Sequence, residues 1–308
     1  MFNGLIAGIL WALDTVILGI ALNSTSFVNT SEAIMLAPFV STFLHDFTSA
    51  IWMFIYTLIK KEYKNVIKAF KSKSAKYIML SAIIGGPIGM SGYVSAINYI
   101  GPSYTAIISS LFPALGALLS YLFLKERMKP TQLFFLALSI AGIILLVYSP
   151  SNNEINNLFL GFLCALLCCF GWAIETVIIA HGLKDPDISD DTALMIRQLS
   201  SSLFYGIVII TFIKGWGFTL SLIPSNSLFI IALSSLFGTT SFLFYYRAIN
   251  KIGAAKSMAL NITYSAWAIV FSFILLKEIP DFRSVVLGLV IVVASILAST
   301  DIKELFRK

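Results

Sequence analysis

Ten apolar runs, each about 18–25 residues long, follow one another along this 308-residue chain with only short connections between them. A helix rises about 1.5 Å per residue, so runs of this length cover a hydrocarbon core of roughly 30 Å. They fall at 3–22, 34–59, 77–98, 102–124, 131–149, 158–181, 192–213, 226–246, 257–276 and 284–300. No water is present in lipid to satisfy backbone polar groups, so such runs are confined to helices. The expected fold class is an all-α membrane protein with ten transmembrane helices and no inserted soluble domain. Composition follows from that: 58% of residues are hydrophobic and 12% charged, where a soluble domain carries about 25% charged residues.

The charges report orientation. With the N-terminus inside, the inner segments hold 17 of the 21 lysines and arginines. These are Lys60, Lys61, Lys64, Lys68, Lys71, Lys73 and Lys76; Lys125, Arg127 and Lys129; Lys184; Arg247, Lys251 and Lys256; and Lys303, Arg307 and Lys308. The outer loops hold three, Lys214, Lys277 and Arg283, and Arg197 lies inside a helix. This asymmetry places both termini in the cytoplasm. The net charge of +6 is thus a topology signal, and no nucleic-acid partner is expected. The lysine-rich segment 60–76 could also touch anionic membrane lipid, although topology alone accounts for it. Cys164, Cys168 and Cys169 share one apolar segment and match no zinc or redox spacing. They read as small packing residues. The first run lacks a basic flank and a small-residue cleavage site, so no cleavable signal is expected.

The chain repeats itself. Residues 11–17 read Trp-Ala-Leu-Asp-Thr-Val-Ile and residues 172–178 read Trp-Ala-Ile-Glu-Thr-Val-Ile, an offset of 161. At offset 152, Tyr-Val-Ser-Ala-Ile-Asn-Tyr-Ile-Gly (93–101) matches Tyr-Tyr-Arg-Ala-Ile-Asn-Lys-Ile-Gly (245–253). The same offset pairs Leu124-Lys125-Glu126 with Leu276-Lys277-Glu278 and His45-Asp46 with Arg197-Gln198. Two repeats are expected, 1–149 and 150–308, with five spans each. An odd number of spans inserts the second copy upside down, and inverted repeats are how transporters exchange inward and outward access around a midplane site.

Carboxylates are costly within a membrane and usually face a cavity or a partner. Asp14 and Glu175 each follow a tryptophan by three residues, near one face of a helix. A ring face attracts an organic cation and packs its methyl groups at once, for about 0.5–2 kcal/mol per contact. Trp11 and Trp172 lie nearer mid-span than the interfaces, where they would serve only as anchors. Tyr264 and Trp267 are three apart on the ninth run. Tyr245 and Tyr246 point about 100° apart, so one of them is expected to line a cavity, with Tyr246 favoured. Trp216 falls in an outer loop and reads as an interface anchor, and Trp52 as packing. Glu175 and Asp14, with His45, could carry a coupling proton. Against a functional role stands simple pairing of Glu175 with Arg197 or His45. His45 and Asp46 are adjacent and are expected to diverge around the helix. Arg197 in mid-span requires an anionic or carbonyl partner.

The order of spans, the Leu-Lys-Glu endings and the Ala-Ile-Asn-x-Ile-Gly turns resemble the drug/metabolite transporter superfamily in its ten-helix EamA-type branch. His45-Asp46-Phe47, Gly86-Pro87-Ile88-Gly89-Met90, Ile196-Arg197-Gln198 and Leu260-Asn261-Ile262-Thr263-Tyr264-Ser265-Ala266-Trp267 are similar to the bacterial choline permeases associated with phosphorylcholine decoration. The resemblance implies a multi-pass protein of the bacterial cytoplasmic (inner) membrane. It also implies an aromatic cage for a quaternary ammonium, formed by Trp11, Trp172, Tyr245 or Tyr246, and Trp267, with Glu175 beside it. Asp14 departs from the family's pattern, where a small or apolar residue is expected. The expected activity is import of choline or a related quaternary ammonium compound by alternating access, proton-coupled or driven by the membrane potential. The alternative is export of amino acids, amphipathic cations or other metabolites. No His-Glu-x-x-His, paired-aspartate or other catalytic motif is present, so no enzyme, cofactor or metal is expected. Bulky aromatic residues in two halves argue against an open channel. A monomer is favoured.

Overall fold

The computed structural model describes residues 2–124, 129–148, 157–279 and 281–299. Lys125, Glu126, Arg127, Lys303, Arg307 and Lys308, used above for topology and for one repeat match, lie outside them. The described elements are helical: α1 (Phe2–Leu22), α2 (Thr25–Val28), α3 (Ser31–Ile59), α4 (Tyr63–Ala69), α5 (Lys73–Ile83), α6 (Ser91–Ser109), α7 (Phe112–Leu124) and α8 (Pro130–Tyr148). There follow α9 (Leu158–Gly182), α10 (Asp190–Phe204), α11 (Trp216–Ser221), α12 (Asn226–Ile252), α13 (Ala254–Asn261), α14 (Tyr264–Phe271) and α15 (Phe282–Ser299). Wider π-helical turns occupy Ile84–Met90, Tyr205–Ile210 and Ser272–Leu276.

Local chemistry sets many of the starts. The side chains of Thr30, Ser72, Asn157, Ser189 and Ser225 each accept a hydrogen bond from a backbone N–H in the first turn of α3, α5, α9, α10 and α12, so one otherwise unpaired donor is satisfied at each. Bends are set by glycine. Gly101 (φ 75, ψ 166) kinks α6 and Gly253 (φ 84, ψ 165) separates α12 from α13. This backbone region is essentially glycine's alone. Nothing lies within 4 Å of a Cβ added at either position, so the requirement is purely conformational. The two glycines close the two Ala-Ile-Asn-x-Ile-Gly matches.

Among the described residues, seven helical stretches are long and apolar enough to cross a membrane; ten spans are expected of the whole chain. They are Phe2–Leu22, Ser31–Ile59, Lys73–Ser109, Leu158–Gly182, Asp190–Ile210, Asn226–Ile252 and Ser257–Leu276. At Gly101 the backbone is not helical, and Pro102 has no N–H to donate, so two helices abut there and the expected runs 77–98 and 102–124 meet at the kink. Lys73–Ser109 therefore holds the first run and the start of the second, which resumes in α7. α8 and α15 are apolar helices of 19 and 18 residues.

Helices from early and late in the chain interleave. α1 lies along α12, and α9 lies against α5, the Ile84–Met90 turn and α6. α3 packs on α10, and α8 on α15. The outer faces carry large exposed apolar side chains such as Phe54, Phe134, Phe170 and Phe229. A lipid solvent accepts such faces at no cost, whereas water would not.

Candidate functional site

Interleaving brings the two Trp motifs together. Trp11 on α1 and Trp172 on α9 meet edge to face with ring centroids 5.3 Å apart. Each tryptophan carbonyl accepts from the threonine four residues on, Thr15 at 2.8 Å and Thr176 at 2.7 Å. Those hydroxyls pair in turn with Tyr93 at 2.7 Å and Tyr245 at 3.2 Å. Tyr93 also lies 4.7 Å from the Trp172 ring, Phe242 5.1 Å from Trp11, and Phe112 5.9 Å from Trp172. Trp11, Phe112, Trp172, Glu175, Phe242 and Tyr245, with Thr176, Ser241 and Asn261, line a small cavity of about 30 Å³. That is room for one water, so the walls are drawn together in this conformation. Trp172 Nε1 and Asn261 Oδ1 are buried polar atoms without a hydrogen-bond partner, one a donor and the other an acceptor.

Beside the rings runs a chain of buried charged groups. Arg197 donates from Nε to Glu175 Oε1 at 2.9 Å and from Nη1 to Gln198 Oε1 at 2.8 Å, with Asp46 Oδ2 at 3.8 Å. Asp46 also accepts from Ser201. His45 lies between Asp14, 3.1 Å from Nε2, and Asp46, 3.4 Å from Nδ1. Asp14 also accepts from Ser234. All five charged or titratable residues are at most 5% exposed. The arrangement is matched in the two halves: an acid on the first long helix (Asp14, Glu175) holds a base on the second (His45, Arg197). Asp46 joins the two couples. Arg197 further lies over the Phe242 ring at 4.5 Å, which places a resident cation against one cavity wall.

Glycines make this closeness possible. A Cβ on Gly85 would overlap the Glu175 carboxylate, and one on Gly86 would overlap Ser201 and crowd Asp46. A Cβ on Gly238 would meet Asp14 at 2.6 Å and His45 at 3.1 Å. Gly86 and Gly238 are themselves 152 residues apart, the offset of the repeat. That offset, applied to the motif Gly86-Pro87-Ile88-Gly89-Met90, was the signal that could have found Gly238. It equally relates Tyr93 to Tyr245, and Tyr93 belongs to the aromatic cluster although sequence reasoning named only its counterpart. Phe112 and Phe242 were also missed, since phenylalanines are too common in such a chain to stand out, and Asn261 lies in the quoted motif at 260–267 without having been assigned a role.

Several expectations require correction. Tyr245, not Tyr246, lines the cavity; Tyr246 is turned toward the ion-pair side, 1% exposed and edge-on to Phe242 at 6.2 Å. Trp267 does not line it. Its ring is 39% exposed on the outer surface, stacked on Phe271. α14 presents one face to α1 and α6, and the 60° between positions i and i+3 carries Trp267 past the edge of that contact. Tyr264 is buried behind the cavity, bonded to Ser109 at 2.6 Å. Asp14 is committed to His45 and Ser234 and does not face the cavity. His45 and Asp46 do not diverge fully, since their side chains touch. Trp216 sits on α11 at the bundle's edge, and Trp52 Nε1 donates to the Ala232 carbonyl at 3.1 Å. The three cysteines are free thiols.

An aromatic cavity between interleaved helices of an apolar bundle, edged by paired buried charges, defines a membrane transporter for small molecules. The chain belongs to the EamA-like transporter family of the drug/metabolite transporter superfamily, whose pattern matches residues 1–148 and again 159–300. It is 34% identical to Protein LicB of Haemophilus influenzae, over 89% of this chain and 88% of that one. It is 26% identical to the riboflavin transporter ImpX of Fusobacterium nucleatum, over 88% and 87%, and 24% identical to the uncharacterized transporter YyaM of Bacillus subtilis, over 89% and 90%. A solved structure titled only "Crystal structure of protein" shares the fold, with a TM-score of 0.65 at 15% identity over 99% of this chain and 98% of that one.

Proposed function

We propose that this transporter imports choline or a closely related quaternary ammonium compound by alternating access. The observation carrying this reading is the meeting of Trp11 and Trp172, from corresponding positions of the two halves, beside the Glu175 carboxylate. A quaternary ammonium has no N–H to donate, so ring faces rather than hydrogen bonds must select it. The buried charges favour a cation. Three carboxylates (Asp14, Asp46, Glu175) face one guanidinium and one imidazole, so with the carboxylates ionised at least one negative charge is left over. Asn261 Oδ1 offers an acceptor for the substrate's hydroxyl.

The working unit in this reading is ten spans, arranged as inverted five-helix repeats over 1–149 and 150–308. Both termini lie in the cytoplasm, and the protein sits in a bacterial inner membrane as a monomer. A cavity with room for one water must widen to admit substrate, and rocking of the halves about the Trp11–Trp172 contact provides that. The driving force is either the membrane potential, worth about 2.3 kcal/mol per 100 mV for a cation, or a proton carried by Glu175, Asp14 or His45. Export of an amino acid is less well supported, because Arg197, the mid-span group able to bind a carboxylate, is already held by Glu175, Asp46 and Gln198. The flat aromatic walls do support a second reading, a planar heterocycle, in line with the name of the Fusobacterium relative, a riboflavin transporter.

The test is choline binding to the purified protein by calorimetry, beside ethanolamine, an aromatic amino acid and riboflavin, followed by uptake into liposomes with imposed pH and voltage gradients. Micromolar choline binding with little response to ethanolamine supports the reading. Binding of riboflavin or an amino acid with no choline response overturns it and leaves the family assignment intact.

A further inference from the structure

A second cavity is wider than the central one. A groove of about 700 Å³ opens on the outer surface between α3 and α10, walled by side chains such as Phe47, Ile51, Phe54, Leu199 and Leu203. It runs from Phe43 to Leu58 along α3, about 22 Å at 1.5 Å per residue, longer than the ~15 Å share of one bilayer leaflet. One end is roofed by α4. Tyr63, Val66, Ile67 and Phe70 turn toward the groove, while Lys64, Lys68 and Lys71 are exposed. α4 thus has the amphipathic character of a helix that lies in a membrane interface.

The lysines at this end are not consumed by the protein. Of the seven in 60–76, Lys60 is bound to Asp191 at 2.7 Å, and among the described residues no ion pair is found for the other six. Glu62 is the one acid in the segment. An apolar slot of acyl-chain length that ends in unpaired ammonium groups complements one molecule class in particular.

We propose that this groove is a binding site for an anionic phospholipid, one acyl chain lying between α3 and α10 and the phosphate engaged by Lys64, Lys68 and Lys71. The proposal is independent of the substrate reading. Cation attraction to anionic lipid is worth about five-fold in affinity per lysine near the surface.

The test uses the full-length protein purified in a neutral detergent at low salt. Thermal shift is titrated with phosphatidylglycerol and with phosphatidylcholine of identical chains, and co-purified lipid is read by native mass spectrometry. Phosphatidylglycerol is expected to stabilise the protein at lower concentration than phosphatidylcholine. The K64Q/K68Q/K71Q variant, altered only at exposed positions, is expected to lose this preference, with apparent affinity for phosphatidylglycerol weakened on the order of 100-fold. Ile51→Trp and Leu203→Trp, at partly exposed groove walls, are expected to weaken both lipids. Equal response to the two lipids, a preference that survives the triple lysine change, or a dimer that Ile51→Trp dissociates would each overturn the proposal, the last by giving the groove to a second copy of the chain.

Discussion

Removal of the Glu175 carboxylate should destabilise the protein through Arg197. The guanidinium is 1% exposed and has Glu175 as its nearest counter-charge, with Gln198 at 2.8 Å and Asp46 at 3.8 Å as its other oxygens. Breaking a buried ion pair from one side costs about 3–5 kcal/mol, because a charge remains where water cannot reach it. Asp46 and Gln198 still face the cation, so Glu175→Ala should fall at the lower end, near 3 kcal/mol. Glu175→Gln keeps an acceptor oxygen for Nε and loses only the charge-assisted share of the bond, for about 1–2 kcal/mol. Arg197→Met should be as damaging as the alanine change, since Glu175 and Asp46 would then face each other without a cation. The double variant Glu175→Ala/Arg197→Met should recover about 1–3 kcal/mol of the summed loss. The assay is unfolding of the four proteins in one detergent at neutral pH, by heat and by denaturant. Additive losses in the double variant would refute the pairing, and a glutamine variant as damaged as the alanine one would refute its division into charge and acceptor.

Further outcomes are expected. Trp172→Ala should weaken choline binding strongly and Trp216→Ala should not; equal effects would remove the cage. Glu175→Gln should abolish the pH dependence of uptake if that acid carries the proton, and unchanged pH dependence would exclude it. Gly101→Ala and Gly253→Ala should each cost about 1–3 kcal/mol by backbone strain alone, read by thermal unfolding; neutral substitutions would contradict the left-handed conformation found there. Asp191 accepts from Lys60 at 2.7 Å, Arg247 at 3.0 Å and Tyr56 at 3.2 Å, tying α3 to α10 and α12, so Asp191→Asn should raise protease access to the loop at 60–62. Asp191 and the Tyr56 hydroxyl hold the Lys60 ammonium above its usual range. Its contribution is therefore full at neutral pH and declines only as pH rises beyond the ordinary lysine range; loss of the tie near pH 7 would contradict this.

What this sequence determined by itself was whatever depends on short-range chemistry and on comparison of the chain with itself. Runs of apolar residues dictate helices in lipid, and Gly101 and Gly253, found by the Ala-Ile-Asn-x-Ile-Gly matches, dictate where helices turn. The pairing of Trp11 with Trp172 was legible because one motif occurs twice. The tertiary structure alone decided which face of each helix meets which partner. Trp267 and Tyr264 are near neighbours on one helix, yet one faces outward and the other is buried, because the edge of the α1 and α6 contact falls between them. Tyr245 and Tyr246 were ranked in the wrong order for the same reason: helical phase gives relative directions but not the position of the neighbours. The Glu175–Arg197 pair was open to the sequence as one of two alternatives, but its joining to Asp14, His45 and Asp46 was beyond reach. It needs α1, α3, α9 and α10 to converge and small residues such as Gly85, Gly86 and Gly238 to stand opposite the charges, which no spacing along a single helix encodes.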